Sequence, residues 1–181
     1  MALGGGLALS VYSAFRIATE NTAIGMPEAK LGFFTDASAG YFMPKFKNNV
    51  GTYMGLTSQF LKGKDAVRAG FAQAYIPSKD IESFLKALYS VDAPEKLSKE
   101  GVWAIISRFS EDVTGEMENL KTIDRLFSGT LDEIMNKLEN EKEEAEFAKR
   151  CLGFINKSSP LSHRILERLY KVAKQWTLKH D

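Results

Sequence analysis

A single cysteine, Cys151, among 181 residues leaves no internal disulfide and no cysteine-based zinc site, and it gives no sign of an oxidising compartment. Set among apolar neighbours in a helical stretch, that thiol reads as a packing residue rather than a nucleophile. The two histidines, His163 and His180, stand far apart and are flanked by basic residues, so they do not form a metal pair and both are expected on the surface. Charge of one sign is lacking too: 24 basic side chains face 23 acidic ones, a formal net charge of +1, which makes no nucleic-acid surface by charge alone. The apolar run in residues 1–13 is rich in glycine, has no basic start and is too short to span a bilayer, so it is read as neither a signal peptide nor a membrane span. P-loops, dinucleotide fingerprints, internal repeats and low-complexity tracts are also missing.

The remaining composition, 44% apolar and 26% charged, suits a globular chain with a core, as one domain or as a subdomain with a helical extension. Two stretches carry chemistry. The first, Met26-Pro27-Glu28 through Leu31-Gly32-Phe33-Phe34-Thr35-Asp36, sets two carboxylates in apolar surroundings, where ionised groups are costly unless paired, solvated or working. Pro27 keeps Met26 out of helical geometry and Gly32 allows a sharp turn, so the segment between the acids reads as a turn or strand end, and both carboxylates can face one pocket. A structural alternative stays open: Glu28 caps a short helical turn, and Asp36 is the N-cap of a helix starting near Ser38. The second stretch is Gly4-Gly5-Gly6 leading into Leu7-Ala8-Leu9-Ser10. Glycines at a helix start let the backbone approach a ligand and offer N–H groups to a carbonyl oxygen that gains negative charge, although a plain flexible turn has the same composition.

Together these stretches, with Phe15-Arg16-Ile17-Ala18-Thr19-Glu20, Gly40-Tyr41-Phe42, Leu61-Lys62-Gly63-Lys64-Asp65, Arg68-Ala69-Gly70 and Asn156-Lys157-Ser158-Ser159-Pro160, resemble the crotonase (enoyl-CoA hydratase/isomerase) superfamily. Within it, Met-Pro-Glu with an acid eight residues after its Glu is similar to the 3-hydroxyisobutyryl-CoA hydrolase branch. The resemblance implies that Gly5 donates a backbone N–H to the thioester oxygen, and that Glu28 and Asp36 are the catalytic and substrate-binding acids. It implies an acyl-CoA substrate, no metal or redox cofactor, and a mitochondrial location. Hydratases of the family carry a second glutamate where this chain has Ala8, which argues against hydration.

Two departures stand out. Hydrolases of this branch follow the aspartate with a run of glycines, whereas Ala37, Ser38 and Ala39 precede Gly40 here. The chain also begins almost at the glycine triplet, while the family has a preceding half that supplies sheet strands, a second oxyanion donor and much of the coenzyme A surface. The expectation is therefore a middle-to-late portion needing a complementary N-terminal half or a neighbouring subunit. Because hydrolase-like proteins of this family also occur as subunits of mitochondrial ribosomes, the competing expectation is a silent structural piece of a ribonucleoprotein assembly.

The fold class expected is α/β, a partial crotonase-like (ClpP/crotonase) fold, with the α/β core over residues 1–77 and a helical extension over 78–181. Strands are expected at Phe15–Thr19, Ala23–Met26 and Phe71–Pro77. Helices are expected at Leu7–Tyr12, from Ser38 until Pro44 limits it, at Val50–Phe60, and from Asp65 as cap to Ala69. Lys62 and Lys64 stand either as contacts to a phosphate or adenine-bearing ligand or as a solvated turn. Farther on come a helical face on Ile81, Phe84, Leu85 and Leu88, a break at Asp92-Ala93-Pro94, and helices over Lys99–Phe109, from Leu120 to Phe127, from Thr130 with Glu133 in capping-box spacing, and over Phe147–Ile155. A last amphipathic helix from about Ser162 is expected to turn Ile165, Leu166, Leu169, Val172, Ala173 and Trp176 inward.

Overall fold

Strand β1 (Ala2–Leu3) runs parallel to β3 (Ala23–Gly25), and β3 pairs antiparallel with β4 (Leu61–Lys62), giving a small sheet of order β1-β3-β4. A second parallel pair joins β2 (Ile17–Ala18) to β5 (Ala74–Tyr75). These belong to a computed structural model that describes residues 1–91 and 97–173; the expected break at Asp92-Ala93-Pro94, and Trp176 and His180, lie outside the described residues. Strands this short hold few ladder hydrogen bonds, so the sheets depend on the helices packed over them.

Helix α1 (Gly5–Val11) follows β1 directly, buries Leu7 and Ala8, and matches the helix expected after the glycines. Helix α2 (Ala39–Phe42) gives way to a 3-10 turn at Met43–Lys45, where Pro44 sits at the turn's start. Helix α3 (Val50–Thr57) stops three residues short of the expected Phe60, because Ser58 takes a left-handed conformation (φ 55°) that ends the ladder. In α4 (Asp65–Arg68) the expected cap is corrected: Lys64 is the N-cap residue, and the Asp65 carboxylate instead accepts from Arg68 at 2.8 Å. Lys64 is tied to Glu111 at 2.9 Å and lies over the Tyr75 ring, two contacts that the sequence did not suggest.

The rest of the described chain is helical: α5 (Ile81–Tyr89), α6 (Lys99–Phe109), α7 (Leu120–Leu126), α8 (Leu131–Glu139), α9 (Ala145–Ile155) and α10 (Pro160–Ala173). Local chemistry accounts for several of these ends. The Ser98 hydroxyl accepts from Gly101 N–H at the start of α6. At α8 the capping box is complete, with Thr130 N–H donating to Glu133 at 2.8 Å and Glu133 N–H donating to the Thr130 hydroxyl at 3.3 Å. Pro160, fixed near helical φ and lacking an N–H, opens α10 two residues before the expected start.

One buried cluster unites Leu7, Ile24 and Met26 of the α/β part with Met54, Phe127, Ile134, Cys151, Leu166 and Tyr170 of the helices; a smaller one gathers Ala74, Ile76, Phe84, Ile105 and Ile106. Cys151 is buried in the larger cluster as expected, and that burial pushes its thiol pKa up to about 12. Helix α10 lies close on α2 and α3 because they present glycines: a Cβ on Gly40 would overlap Leu169, and one on Gly55 would stand 2.6 Å from Leu166 and 2.8 Å from the Tyr170 hydroxyl. The buried side of α10 is Ser162, His163, Leu166, Tyr170 and Ala173. Two expectations are corrected here. Val172 is 50% exposed, off that stripe. His163, expected on the surface, is only 3% exposed; its ring bonds to the Leu56 backbone, and burial lowers its pKa, keeping it neutral.

Candidate active site

Because β1 and β3 are parallel neighbours in register, with Leu3 opposite Gly25, the segments following them leave the sheet at the same edge. One is the glycine start of α1 and the other is the acid-bearing turn. Openings beyond the carboxyl ends of parallel strands are where ligands of α/β folds bind. The two segments are joined at their root by Gly4 N–H donating to Gly25 O at 3.1 Å.

Beyond Pro27 the chain makes a 3-10 turn, Glu28–Leu31, closed by left-handed Gly32 (φ 77°) and by Phe33 N–H donating to Glu28 O. The turn brings the Glu28 carboxylate onto the glycine triplet. A Cβ on Gly4 would stand 2.5 Å from Glu28 Oε1, so glycine there is required both by this contact and by its positive φ of 51°. Glu28 is 8% exposed, and its other oxygen, Oε2, is sealed with no hydrogen-bond partner. Burial raises its pKa above the ordinary value, its own backbone N–H opposes that, and the charge of Asp36 adds to it. A carboxylate in such surroundings is a stronger base than an exposed one and is suited to proton transfer or attack near neutral pH.

Next to this carboxylate, Gly5 and Gly6 are exposed with open space over them. The first intrahelical bond of α1 runs from Ala8 N–H to Gly4 O, so the N–H groups of Gly5 and Gly6 have no acceptor within the helix. Asp36 is exposed, on the loop before α2, within range for its charge to act on Glu28. Glu28 and the glycines thus meet at one edge, whereas Asp36 is linked to them only through the reach of its charge, and neither of the two cavities described below is lined by either carboxylate. The structural alternative does not hold for the side chains. Helix α2 starts at Ala39 with Ser38 as its N-cap residue, without a side-chain cap, and Asp36 contributes only its backbone carbonyl, which accepts from Ala39 N–H at 2.8 Å. The Glu28–Leu31 turn likewise has Pro27, not Glu28, in its N-cap position.

The substituted glycine run shows a cost. Ala37 (φ 48°) and Ser38 (φ 61°) both occupy the left-handed region that glycine adopts freely. Ser38 is stabilised there by donating to Ala37 O at 2.6 Å and accepting from the Tyr12 hydroxyl at 3.0 Å. Leu9, Tyr12, Leu31, Phe33 and Phe34 are exposed large apolar side chains from the same two segments, and the Phe33 and Phe34 rings stack on each other. Two cavities of about 290 and 240 Å³ lie elsewhere, against α8 and α10, and none of the three candidate residues lines them. Among the described residues no group of three or more His, Cys, Asp or Glu side chains could hold a metal ion, and no helix is long and apolar enough to cross a membrane.

A sequence model described as enoyl-CoA hydratase/isomerase matches residues 1–181. The chain belongs to the enoyl-CoA hydratase/isomerase family. Its fold is the partial crotonase-like α/β fold expected: it superposes on a carnitinyl-CoA dehydratase from Mycobacterium thermoresistibile with a TM-score of 0.82 at 26% identity, covering 98% of this chain and 50% of that one. Among curated relatives of this family chain, the mitochondrial 3-hydroxyisobutyryl-CoA hydrolase of Dictyostelium discoideum is 35% identical over 96% of the chain and 46% of the relative. The small ribosomal subunit protein mS47 of Neurospora crassa is 36% identical over 98% of the chain and 38% of the relative. The chain therefore spans less than half the length of these two relatives.

Sequence reasoning singled out Glu28, Asp36 and Gly5 but passed over Gly4, the glycine that touches the carboxylate, and Tyr170, whose hydroxyl lies buried where α3 meets α10. The positive φ at Gly4 leaves no mark in a triplet of identical residues. Tyr170 sits four residues after Leu166 on the buried stripe, a spacing that was available to a periodicity argument.

Proposed function

We propose that this chain forms the acid-bearing part of a thioester hydrolase site acting on a short branched 3-hydroxyacyl-CoA of the 3-hydroxyisobutyryl-CoA type, in the mitochondrion. The observation that carries the reading is the buried Glu28 carboxylate, its pKa raised, lying against Gly4 beside the open N–H groups of Gly5 and Gly6. In this reading the thioester oxygen lies at Gly5 N–H, which stabilises the oxyanion by roughly 3 to 4 kcal/mol, as such donors do. Glu28 acts as nucleophile or as the base that activates water, and Asp36 holds the substrate hydroxyl or assists proton transfer. The residues need no metal or redox group for this chemistry. The exposed Leu9, Tyr12, Leu31, Phe33 and Phe34 are the apolar rim that a complementary N-terminal half or a neighbouring subunit covers.

A second reading draws on a specific observation. Ala37 and Ser38 hold left-handed backbone where glycine is at ease, and a relative of similar identity is a small ribosomal subunit protein. On that reading the fold persists as a structural subunit of a ribonucleoprotein assembly and the acids are relics. The native full-length protein, isolated from its source, separates the two. Release of free coenzyme A from 3-hydroxyisobutyryl-CoA by a modest particle supports the hydrolase. An RNA-containing particle of megadalton size without that release overturns it in favour of the structural subunit.

A further inference from the structure

Asp36, Ala37 and Ser38 form an exposed stretch between two buried residues, Thr35 and Ala39. Ala37 (φ 48°) and Ser38 (φ 61°) hold consecutive left-handed conformations, which residues with a Cβ adopt singly at most and at a cost. Backbone in such a state persists only where its surroundings impose it. On one side α2 does so, with Ala39 N–H donating to Asp36 O and Tyr41 N–H donating to Ser38 O, both at 2.8 Å. On the other side a side chain of α1's last turn, Tyr12, reaches the same stretch.

Tyr12 closes α1 and meets α2 at both of that helix's ends. Its ring stands edge-on to Phe42, the last residue of α2, with centroids 6.5 Å apart. Its hydroxyl donates to Ser38 Oγ at 3.0 Å, and Ser38 in turn donates to Ala37 O at 2.6 Å, so a two-step chain runs from the phenol to the carbonyl of the left-handed alanine. Tyr12 is 49% exposed and Ser38 is exposed too, so neither hydroxyl needs the other for want of water. What the bond adds is position. Helix α1 has seven residues, about 10 Å of length, and Gly5 opens it. One short helix thus carries the N–H group of Gly5 at its start and the tie to the acid loop at its end.

We propose that Tyr12 is a positioning residue for Asp36: through Ser38 it holds residues 36–38 in their left-handed path and so fixes where the Asp36 carboxylate stands relative to the glycine start of α1. Glycines at 37 and 38 would take this backbone freely; with alanine and serine there, a side chain from α1 supplies the restraint. The part assigned to Asp36 in turnover rests on the function proposed above; the tie from Tyr12 does not.

The test compares Tyr12→Phe, Ser38→Gly and the double variant of the full-length protein. Tyr12→Phe keeps the ring on Phe42 and removes only the donor. The first readout is hydrogen exchange of the Ala39 and Tyr41 amides, which Asp36 O and Ser38 O protect. The second is the preference for 3-hydroxyisobutyryl-CoA over isobutyryl-CoA, which lacks the hydroxyl assigned to Asp36. The expected result is that exchange at these amides quickens about fivefold in Tyr12→Phe while that of α8 is unchanged, and that the preference falls by about the same factor, the loss of one neutral hydrogen bond. In the Ser38→Gly background the phenol has no hydroxyl to hold, and Tyr12→Phe should add nothing. Exchange that is unaltered in Tyr12→Phe overturns the inference. An equal acceleration in both backgrounds also overturns it, because the Tyr12–Ser38 bond is then not responsible. Quickened exchange with an unchanged preference in an active enzyme overturns the positioning of Asp36. Quickened exchange confined to the serine background, in a wild-type protein that cleaves neither thioester, upholds the Tyr12 tie and removes the hydrolase reading instead.

Discussion

Replacing Gly4 by alanine tests the contact on which the site is built. The backbone there has φ 51° and ψ −122°, a region closed to ordinary L-residues, and forcing a side chain into such geometry costs about 1 to 3 kcal/mol. The added Cβ would also stand 2.5 Å from Glu28 Oε1, so the carboxylate has to retreat by about 1 Å to reach normal contact. For a protein of this size each kcal/mol lowers the melting temperature by roughly 2 to 4 °C. A misplacement of about 1 Å in a reacting group can cost about 10²-fold in rate. Gly4→Ala should therefore melt several degrees lower and lose most of its thioester hydrolysis. Two residues along, Gly6 has nothing within 4 Å of an added Cβ and lies inside α1. Gly6→Ala should gain about 0.5 to 1 kcal/mol from helix propensity and melt slightly higher. The pair is read by differential scanning calorimetry and by thiol release from the acyl-CoA. A Gly4→Ala protein that melts and turns over like wild type would refute the placement of Glu28 on the triplet.

Other parts of the molecule respond in ways that can be checked. Thr130→Ala removes the hydroxyl that accepts from Glu133 N–H, leaving only the backbone half of the α8 capping box, and should lower stability by about 1 kcal/mol, seen as an earlier urea midpoint with unchanged slope. Ala37→Gly relieves a left-handed alanine whose strain is about 1 kcal/mol, partly offset by the greater freedom of glycine in the unfolded chain, so melting should rise by a degree or two rather than fall. Cys151, with its thiol pKa pushed up to about 12 by burial, should resist a disulfide reagent at pH 8 in the native protein and react fully once unfolded, as peptide mapping would show.

Elements bounded by their own neighbours were legible in the sequence. The capping box at Thr130 and Glu133 needs only residues three apart, and Lys99–Phe109 is bounded by Ser98, whose side chain caps it, and by the polar segment after Phe109. The grouping of Glu28 with the glycines was also within reach, because the turn residues Pro27 and Gly32 flank it. What escaped depended on contacts distant along the chain. His163 lies between Ser162 and Arg164 and reads as a surface residue; it is buried because α10 turns that side toward Leu56 of α3. Helix α3 ends at Thr57 through a left-handed serine, a residue with no local signature for that geometry. The apolar pattern of α10 admitted two neighbouring faces, and the glycines at 40 and 55 on other helices decided between them, leaving Val172 outside.

The central claim is that Glu28 is held buried at a stability cost because it works, and Glu28→Gln in the full-length protein tests it most directly. The folded-state pKa of Glu28 is raised above its ordinary 4.5, so its favourable neutral form is present at low pH and lost as pH rises through the folded value. Glutamine cannot ionise. The variant should therefore be more stable than wild type at neutral pH, with the difference shrinking as pH falls through the raised folded value towards 4.5 and levelling off below it, and its hydrolysis of 3-hydroxyisobutyryl-CoA should be lost. Stability gained together with turnover lost is the predicted result. Turnover retained in Glu28→Gln would contradict the account.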